Sequence, residues 1–517
     1  VNEARESKLQ RIVVVGDLSH RGRYHLGDEA MSEVALEQLT RRGYSVTFIA
    51  GDPAVCAAQY GVPAVGRFGF SAISDRADKV ARLEQLVAGV RGACEVPEDA
   101  RHTIAALRSA DAILIAGGGN LNSIGEHHLF ERLALTRIAR QLEIPLYVTS
   151  QTVGPHLRKR DQDLVREIAT SARVFGVRES RTAALMRGIA PEATIVRTVD
   201  DAVLMTPDSD IASASVRWGL PEDYVVGSFT FHERTTELDV EEYYRTIAEM
   251  LDGVVHDTGR DVVLLPHMGT LTAPDTVQAD DDAHGHDRIA AYSASGRLRS
   301  LPIMTARELL AVTQGADFTI STRYHPLVFG AALGVPAVGI VHSYYSATRM
   351  RGALANAGME SFALPFEAWD TLLGSSVVAA LCQRLPEFRA HISAVGESQR
   401  KYQSAWWDGI AADLAGTGTL LTEDFMLPTA ISWADEHQTE LLALARLAQE
   451  GTNLTRLNDL IDDKDRDQRV AKLERQLAVA MTETTLLRKE IVELRHRVRP
   501  PGAAMRDRIR LAFRRNS

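Results

Sequence analysis

The sequence predicts an α/β protein with two parallel-sheet domains and a helical extension at its carboxyl end. Short apolar runs alternate with helical periodicity from Arg11 onward, pause at the loop carrying Pro207 and Pro221, and then begin a second cycle. From about Ile431 the strand signals give way to long helical patterns. Alternating strands and helices imply a doubly wound sheet, because each crossover helix covers one of its faces.

The first run, Arg11 to Gly16, is continuously apolar after its arginine and reads as a fully buried parallel strand. Asp28 to Arg42 has apolar residues at helical spacing and stops before Gly43, which completes a βα unit. Ser45 to Ala50, Ala112 to Ala116, Leu146 to Ser150 and Val174 to Val177 read as further short strands. The second cycle places strands at Tyr224 to Phe231, Val262 to Pro266, Phe318 to Ser321 and Ala337 to Val341, with helices such as Val240 to Leu251 and Ala306 to Gln314 between them. Residues 1–205 and 206–416 are therefore expected to form two Rossmann-like domains facing a cleft, where ligands bind at the carboxyl ends of strands.

Residues 417–469 read as a helical linker. In 470–499, Val470, Leu473, Leu477, Ala480, Thr484, Leu487, Ile491, Leu494 and Val498 alternate steps of three and four, the pattern of a coiled coil that would join copies into a homo-oligomer. A single long helix packed on its own domain fits the same pattern, since Ala480 and Thr484 weaken the seam. Pro500-Pro501-Gly502 ends the helix, and the basic tail 500–517 places Met505, Ile509 and Phe513 at i, i+4 and i+8 among arginines. Such a tail suits either peripheral contact with an anionic membrane or plain solvation.

A chain of 517 residues, 45% hydrophobic and 24% charged, can bury more than one core. Its formal net charge of -10 argues against a nucleic-acid binder. Cys56, Cys94 and Cys382 form no metal-spaced pair and read as reduced thiols. Val1 to Glu6 lack the basic-then-apolar pattern of a signal peptide, and no apolar run approaches the roughly 20 residues of a membrane span. The expected location is cytoplasmic, with any membrane contact peripheral at the inner face.

The most informative motif is Ser321-Thr322-Arg323-Tyr324-His325-Pro326, where an arginine and a histidine two residues apart join a strand end to a helix start. That is a receiver for a phosphorylated or carboxylated ligand. Gly27 and Asp28 stand at the start of the first helix; Asp28 reads as an N-cap, as a base facing the cleft, or as both. The glycine spacing there fits no nucleotide-binding fingerprint. Gly117, Gly118, Gly119 and Asn120 follow a strand directly, and glycines there permit close backbone approach to a ligand. His127 and His128 lie nearby and read as surface residues or sugar contacts.

Arg178 ends the strand Val174 to Val177 and can grip an anion bidentately, or pair with Glu179. Asp200 and Asp201 form a carboxylate pair at a similar edge, and His267 occupies the matching edge of the second domain. Asp280 to Asp287 resembles a metal cluster in composition only, and no metal site is expected.

Taken together, Gly27-Asp28-Glu29-Ala30, Gly117-Gly118-Gly119-Asn120, Val177-Arg178-Glu179-Ser180, Arg323-Tyr324-His325 and Ala331 to Ile340 resemble the polysaccharide pyruvyl transferase family from about Arg11 to about Gly358. The resemblance implies a GT-B-like pair of domains that takes phosphoenolpyruvate as donor substrate, with no cofactor. It also implies attachment of the pyruvyl carbon to two hydroxyls of a cell-envelope sugar, free or lipid-linked, as a ketal, with release of phosphate. The family's donor contacts carry over to Arg323, Tyr324, His325 and Arg178. Tyr324 stands where leucine is common, and Tyr24-His25-Leu26 replace the usual residues before the Gly-Asp-Glu motif. His325 is the expected acid and Asp28 the expected base, while Gly118, Gly119, Asn120, His127 and His267 complete the expected substrate contacts. A GT-B glycosyltransferase using a nucleotide sugar would share the architecture. A non-catalytic assembly protein would not need Arg178, Arg323 and His325.

Overall fold

The computed structural model describes residues 10–19, 23–233, 235–271, 278 and 281–456. The coiled coil expected at 470–499 and the basic tail 500–517 lie outside them, as does the end of the 417–469 linker. Residues 436–456 of that linker are helical. Among the described residues no helix is long and apolar enough to cross a membrane.

The strands are β1 (Arg11–Val15), β2 (Tyr24–His25), β3 (Ser45–Ala50), β4 (Ala64–Gly66), β5 (Ala112–Ile115), β6 (Gly118–Leu121), β7 (Leu146–Val153) and β8 (Val174–Val177). They continue as β9 (Ile195–Arg197), β10 (Tyr224–Ser228), β11 (Asp261–Leu264), β12 (Met268–Gly269), β13 (Leu298–Ser300), β14 (Thr319–Ser321), β15 (Ala337–Val341) and β16 (Ala363–Pro365).

The first lobe holds a parallel sheet ordered β4-β3-β1-β5-β7-β8-β9, with β6 beside β7; the second holds β13-β11-β10-β14-β15-β16. Every paired strand in both sheets is parallel, which explains the unbroken apolar runs of β1, β5 and β15: both faces are covered by helices. In each sheet the chain steps outward from a central strand, first to one side and then to the other. The reversal opens a crevice between β1 and β5 in one lobe and between β10 and β14 in the other, and ligands bind at such crevices. Gly117 to Asn120 follow β5 and Arg323 follows β14, so both motifs stand at these two points.

Three features were not legible as local patterns. β2 and β12 form a two-stranded antiparallel ribbon that joins the lobes, Tyr24 opposite Gly269 and His25 opposite Met268, and each is too short to show a period. The first helix, Leu26–Arg41, follows β1, yet Leu26, Ala30, Met31 and Val34 are buried in the same apolar cluster as the second lobe's strands. The long helix Leu372–Leu414 begins on the second lobe through Leu373, Val377 and Leu381. It bends near Arg384, two residues before Pro386, and buries Trp406, Trp407 and Ile410 against the first sheet. The second domain drawn at 206–416 therefore has its last turns packed on the first lobe.

Candidate active site

The cleft is built by loops at the carboxyl ends of β1, β5, β8, β10, β11, β14 and β15. Leu26 donates its backbone N–H to the His267 carbonyl at 2.9 Å, and Tyr345 donates its hydroxyl to the Gly119 carbonyl at 2.6 Å. Asn356 donates to the Arg178 carbonyl at 2.7 Å, and Arg307 pairs with Glu33 and Glu37. The lobes thus close over a shared interior.

His325 opens the helix His325–Leu333 directly after Tyr324. Its ring lies against Gly27 so closely that an added Cβ there would overlap it. Nε2 of His325 is buried, has no hydrogen-bond partner, and lies 3.8 Å from Asp200 Oδ2. Burial, then the charge of Arg178, holds its pKa well below the ordinary value, so the imidazole is neutral. His267 is also buried, with Nδ1 2.8 Å from Ser228 Oγ and Nε2 without a partner; burial, then Arg323, lowers its pKa to about 3. Two neutral imidazoles thus each keep one buried nitrogen free.

Arg178 takes the second of its two sequence readings, the pair with Glu179, and adds Asp200 to it. It is 1% exposed and donates to Asp200 Oδ2 at 2.6 Å, Glu179 Oε1 at 3.1 Å and Thr152 Oγ1 at 2.9 Å. Its guanidinium also stacks 4.4 Å from the Tyr324 ring centroid, across the lobe boundary. It is therefore a neutralised, load-sharing cation at the back of the cleft, not a free one on its edge. Arg323 is likewise paired, with Asp282, and its Nε is buried without a partner. Asp282 also accepts the His267 backbone N–H at 2.9 Å, which ties this arginine to the second histidine.

Asp28 lies within the first turn of its helix; the N-cap is His25. The capping role expected of Asp28 is thereby corrected, because Leu26 and Gly27 already have helical geometry. Its carboxylate makes no hydrogen bond or ion pair among the described residues. Burial, then the neighbouring Asp17, raises its pKa to about 7. Glu29 is fully buried and accepts from the Ser19 backbone at 2.7 Å and from Tyr60. Burial raises its pKa to about 7 as well.

The raised Glu29 value makes a stability prediction. A carboxyl that is more basic folded than unfolded supports the fold fully below its unfolded pKa and loses that support as pH rises through about 7. Between pH 4 and pH 8, Glu29→Gln is expected to flatten the fall in unfolding free energy by on the order of 3 kcal/mol. Denaturant titrations across that range check it, and parallel curves for the two proteins would reject it.

The glycine loop is used differently from its expectation. Gly118 to Leu121 pair with β7, and none of the three glycines takes a positive φ. An added Cβ on Gly117 would strike Met31 and Ser150, and one on Gly119 would strike the Tyr345 hydroxyl. The glycines admit protein side chains at those two positions, while Gly118 meets only Gln151, 3.8 Å from its missing Cβ. Asn120 donates to Asp17 at 2.8 Å. His127 stacks on His128 with centroids 4.0 Å apart, and His128 lies 3.9 Å from Asp17. Asp201 parts company with Asp200: it sits in the first lobe's core, accepting from Thr149, Gln403 and Trp407 at 2.7–2.9 Å. Asp281 pairs with Arg23 and Asp282 with Arg323, and no group of metal-ligating side chains occurs among the described residues.

A family model for polysaccharide pyruvyl transferases matches residues 25–344, more than half of the chain. This chain belongs to the polysaccharide pyruvyl transferase family. Among curated protein sequences, none matches it. Among solved structures, a Listeria monocytogenes protein provisionally described as a UDP-N-acetylglucosamine 2-epimerase is 11% identical, with a TM-score of 0.51 over 81% of this chain and 100% of that one. Sucrose-phosphate synthase from Thermosynechococcus elongatus is 13% identical over 79% of this chain and 98% of its own, with a TM-score of 0.46. The Anabaena HepE protein, solved with UDP and glucose, is 14% identical over 79% and 100%, with a TM-score of 0.47. The first likeness shows that this chain has the two-lobed GT-B type of fold.

Several cleft residues escaped the sequence reading. Asp17, Tyr345 and Arg349 follow β1 and β15, in a loop or an opening helix without a recognisable motif, and Asp282, read only as part of an acidic cluster, opens the helix Asp282–Tyr292. The one usable signal was position: Tyr344 to Arg349 come directly after β15, whose end meets the same crevice as Arg323.

Proposed function

We propose that the chain transfers the pyruvyl group of phosphoenolpyruvate to two hydroxyls of a cell-envelope sugar, forming a ketal and releasing phosphate. One observation carries this reading: cationic and imidazole side chains from both lobes meet around Tyr324, with Arg178 stacked on its ring and His325 next to it in sequence. A donor bearing a carboxylate and a phosphate needs such surroundings, since an anion stripped of water is costly without paired charge.

In this scheme the bond between the donor's central carbon and its bridging oxygen breaks, and phosphate leaves with the electron pair. The methylene carbon gains a proton, and two sugar oxygens bond to the central carbon as each hydroxyl loses its proton. Asp28, with its pKa near 7, has the affinity for a hydroxyl proton that an ordinary aspartate lacks. His325 is neutral beside Arg178, and a bound phosphate would offset that charge and let it carry a proton to the methylene carbon or the departing phosphate. The acceptor belongs to the first lobe's side of the cleft, near Asn120, His127 and Gly118, whether free or lipid-linked.

Incubating the chain with phosphoenolpyruvate and a panel of envelope glycans is expected to release phosphate only with the matching glycan, which gains a pyruvate ketal by mass. Turnover should rise with pH through about 7 as Asp28 ionises, and Asp28→Asn should remove that limb. Consumption of a uridine- or guanosine-diphosphate sugar in place of phosphoenolpyruvate would instead establish a glycosyltransferase.

A further inference from the structure

We propose that Arg349 is the unpaired guanidinium that grips the anionic donor; this rests on the phosphoenolpyruvate reading above. Arg178 and Arg323 face three buried carboxylates, Asp200, Glu179 and Asp282, so these two arginines bring no surplus charge to the cleft. Arg349 makes no ion pair or hydrogen bond among the described residues, and its Nε is buried without a partner.

Its position is nevertheless built. Arg349 lies in the first turns of the helix Tyr344–Asn356, which follows β15, four residues after Tyr345. Its guanidinium stacks 4.0 Å from the Tyr345 ring centroid and 5.5 Å from that of Tyr324. Tyr345 is held in turn by its hydroxyl bond to Gly119 of the other lobe. The two rings orient the cation without tying up its donors; Asp28 and Glu179 feel its charge, but neither forms an ion pair with it. Arg178 stacks on the same Tyr324 ring, and His325 follows it in the chain, so Arg349 faces the catalytic histidine's surroundings. Arg349 also lies beyond residue 344, where the family match ends.

Calorimetric titration of the full chain with phosphoenolpyruvate tests the assignment. Arg349→Ala is expected to weaken binding by about 10- to 100-fold, the worth of a hydrogen bond to a charged group. Arg349→Lys, which keeps the charge, should recover part of the loss. Neither change orphans a carboxylate, so the melting temperature should stay close to that of the parent. Tight binding that Arg349→Ala leaves intact would overturn this assignment alone. No binding by the unaltered chain would overturn the donor reading and this assignment with it.

Discussion

In the Gly27→Ala variant, turnover falls by about two to four orders of magnitude while the protein stays folded. Gly27 lies in the first turn of the helix Leu26–Arg41, and the face that a methyl group would occupy is filled by the His325 ring. Alanine favours a helix over glycine by about 1 kcal/mol, and overpacking costs about 1–3 kcal/mol, so the two largely cancel in stability. They do not cancel in position. His325 is confined by Tyr324 at 5.1 Å and Phe329 at 5.8 Å between ring centroids, so a methyl group at Gly27 forces its Nε2 away from Asp200 and the donor site. Glycan-dependent phosphate release together with a thermal melt measures both quantities. Full turnover with an added methyl group would remove His325 from the proton-transfer role.

Arg178→Met has the largest expected effect on stability, a loss of about 3–5 kcal/mol in unfolding free energy. The arginine is buried together with Asp200 and Glu179, and removing it leaves two carboxylates facing each other without a cation. Burial already raises the pKa of Glu179 even with the arginine beside it. The Tyr324 ring would also lose its stacked guanidinium, loosening the junction of the two lobes. Adding Asp200→Asn to Arg178→Met should return part of the loss, because one stranded charge is gone. Urea titrations of the single and double variants measure this. An unchanged midpoint for Arg178→Met would mean that the arginine is a free cation after all. Because of this structural share, lost activity in an Arg178 variant does not by itself report lost donor binding, whereas Arg349→Ala has no such structural cost.

The two-lobed α/β architecture was legible in the chain because buried parallel strands must be apolar on both faces, as in Val13 to Val15 and Ala337 to Val341. Arg323-Tyr324-His325 stood out for a related reason: polar chemistry at the junction of such a strand and a helix lies at the crevice edge. The lobe-joining ribbon of β2 and β12 was not legible, since two residues carry no period. Nor was the return of Trp406 and Trp407 to the first sheet, which depends on where a bent helix ends in space.

What the sequence determined by itself was the alternation of elements, the strand ends from which Arg178, His267, Arg323 and His325 project, and the family these motifs resemble. Only the tertiary structure decided which of those charges are available. It paired Arg178 with Asp200 and Arg323 with Asp282, raised Asp28 through its burial beside Asp17, and left Arg349 without an ion pair against two tyrosine rings. The physical reason is that local pattern reports period and burial, while the state of a charge depends on distance and desolvation among groups far apart along the chain.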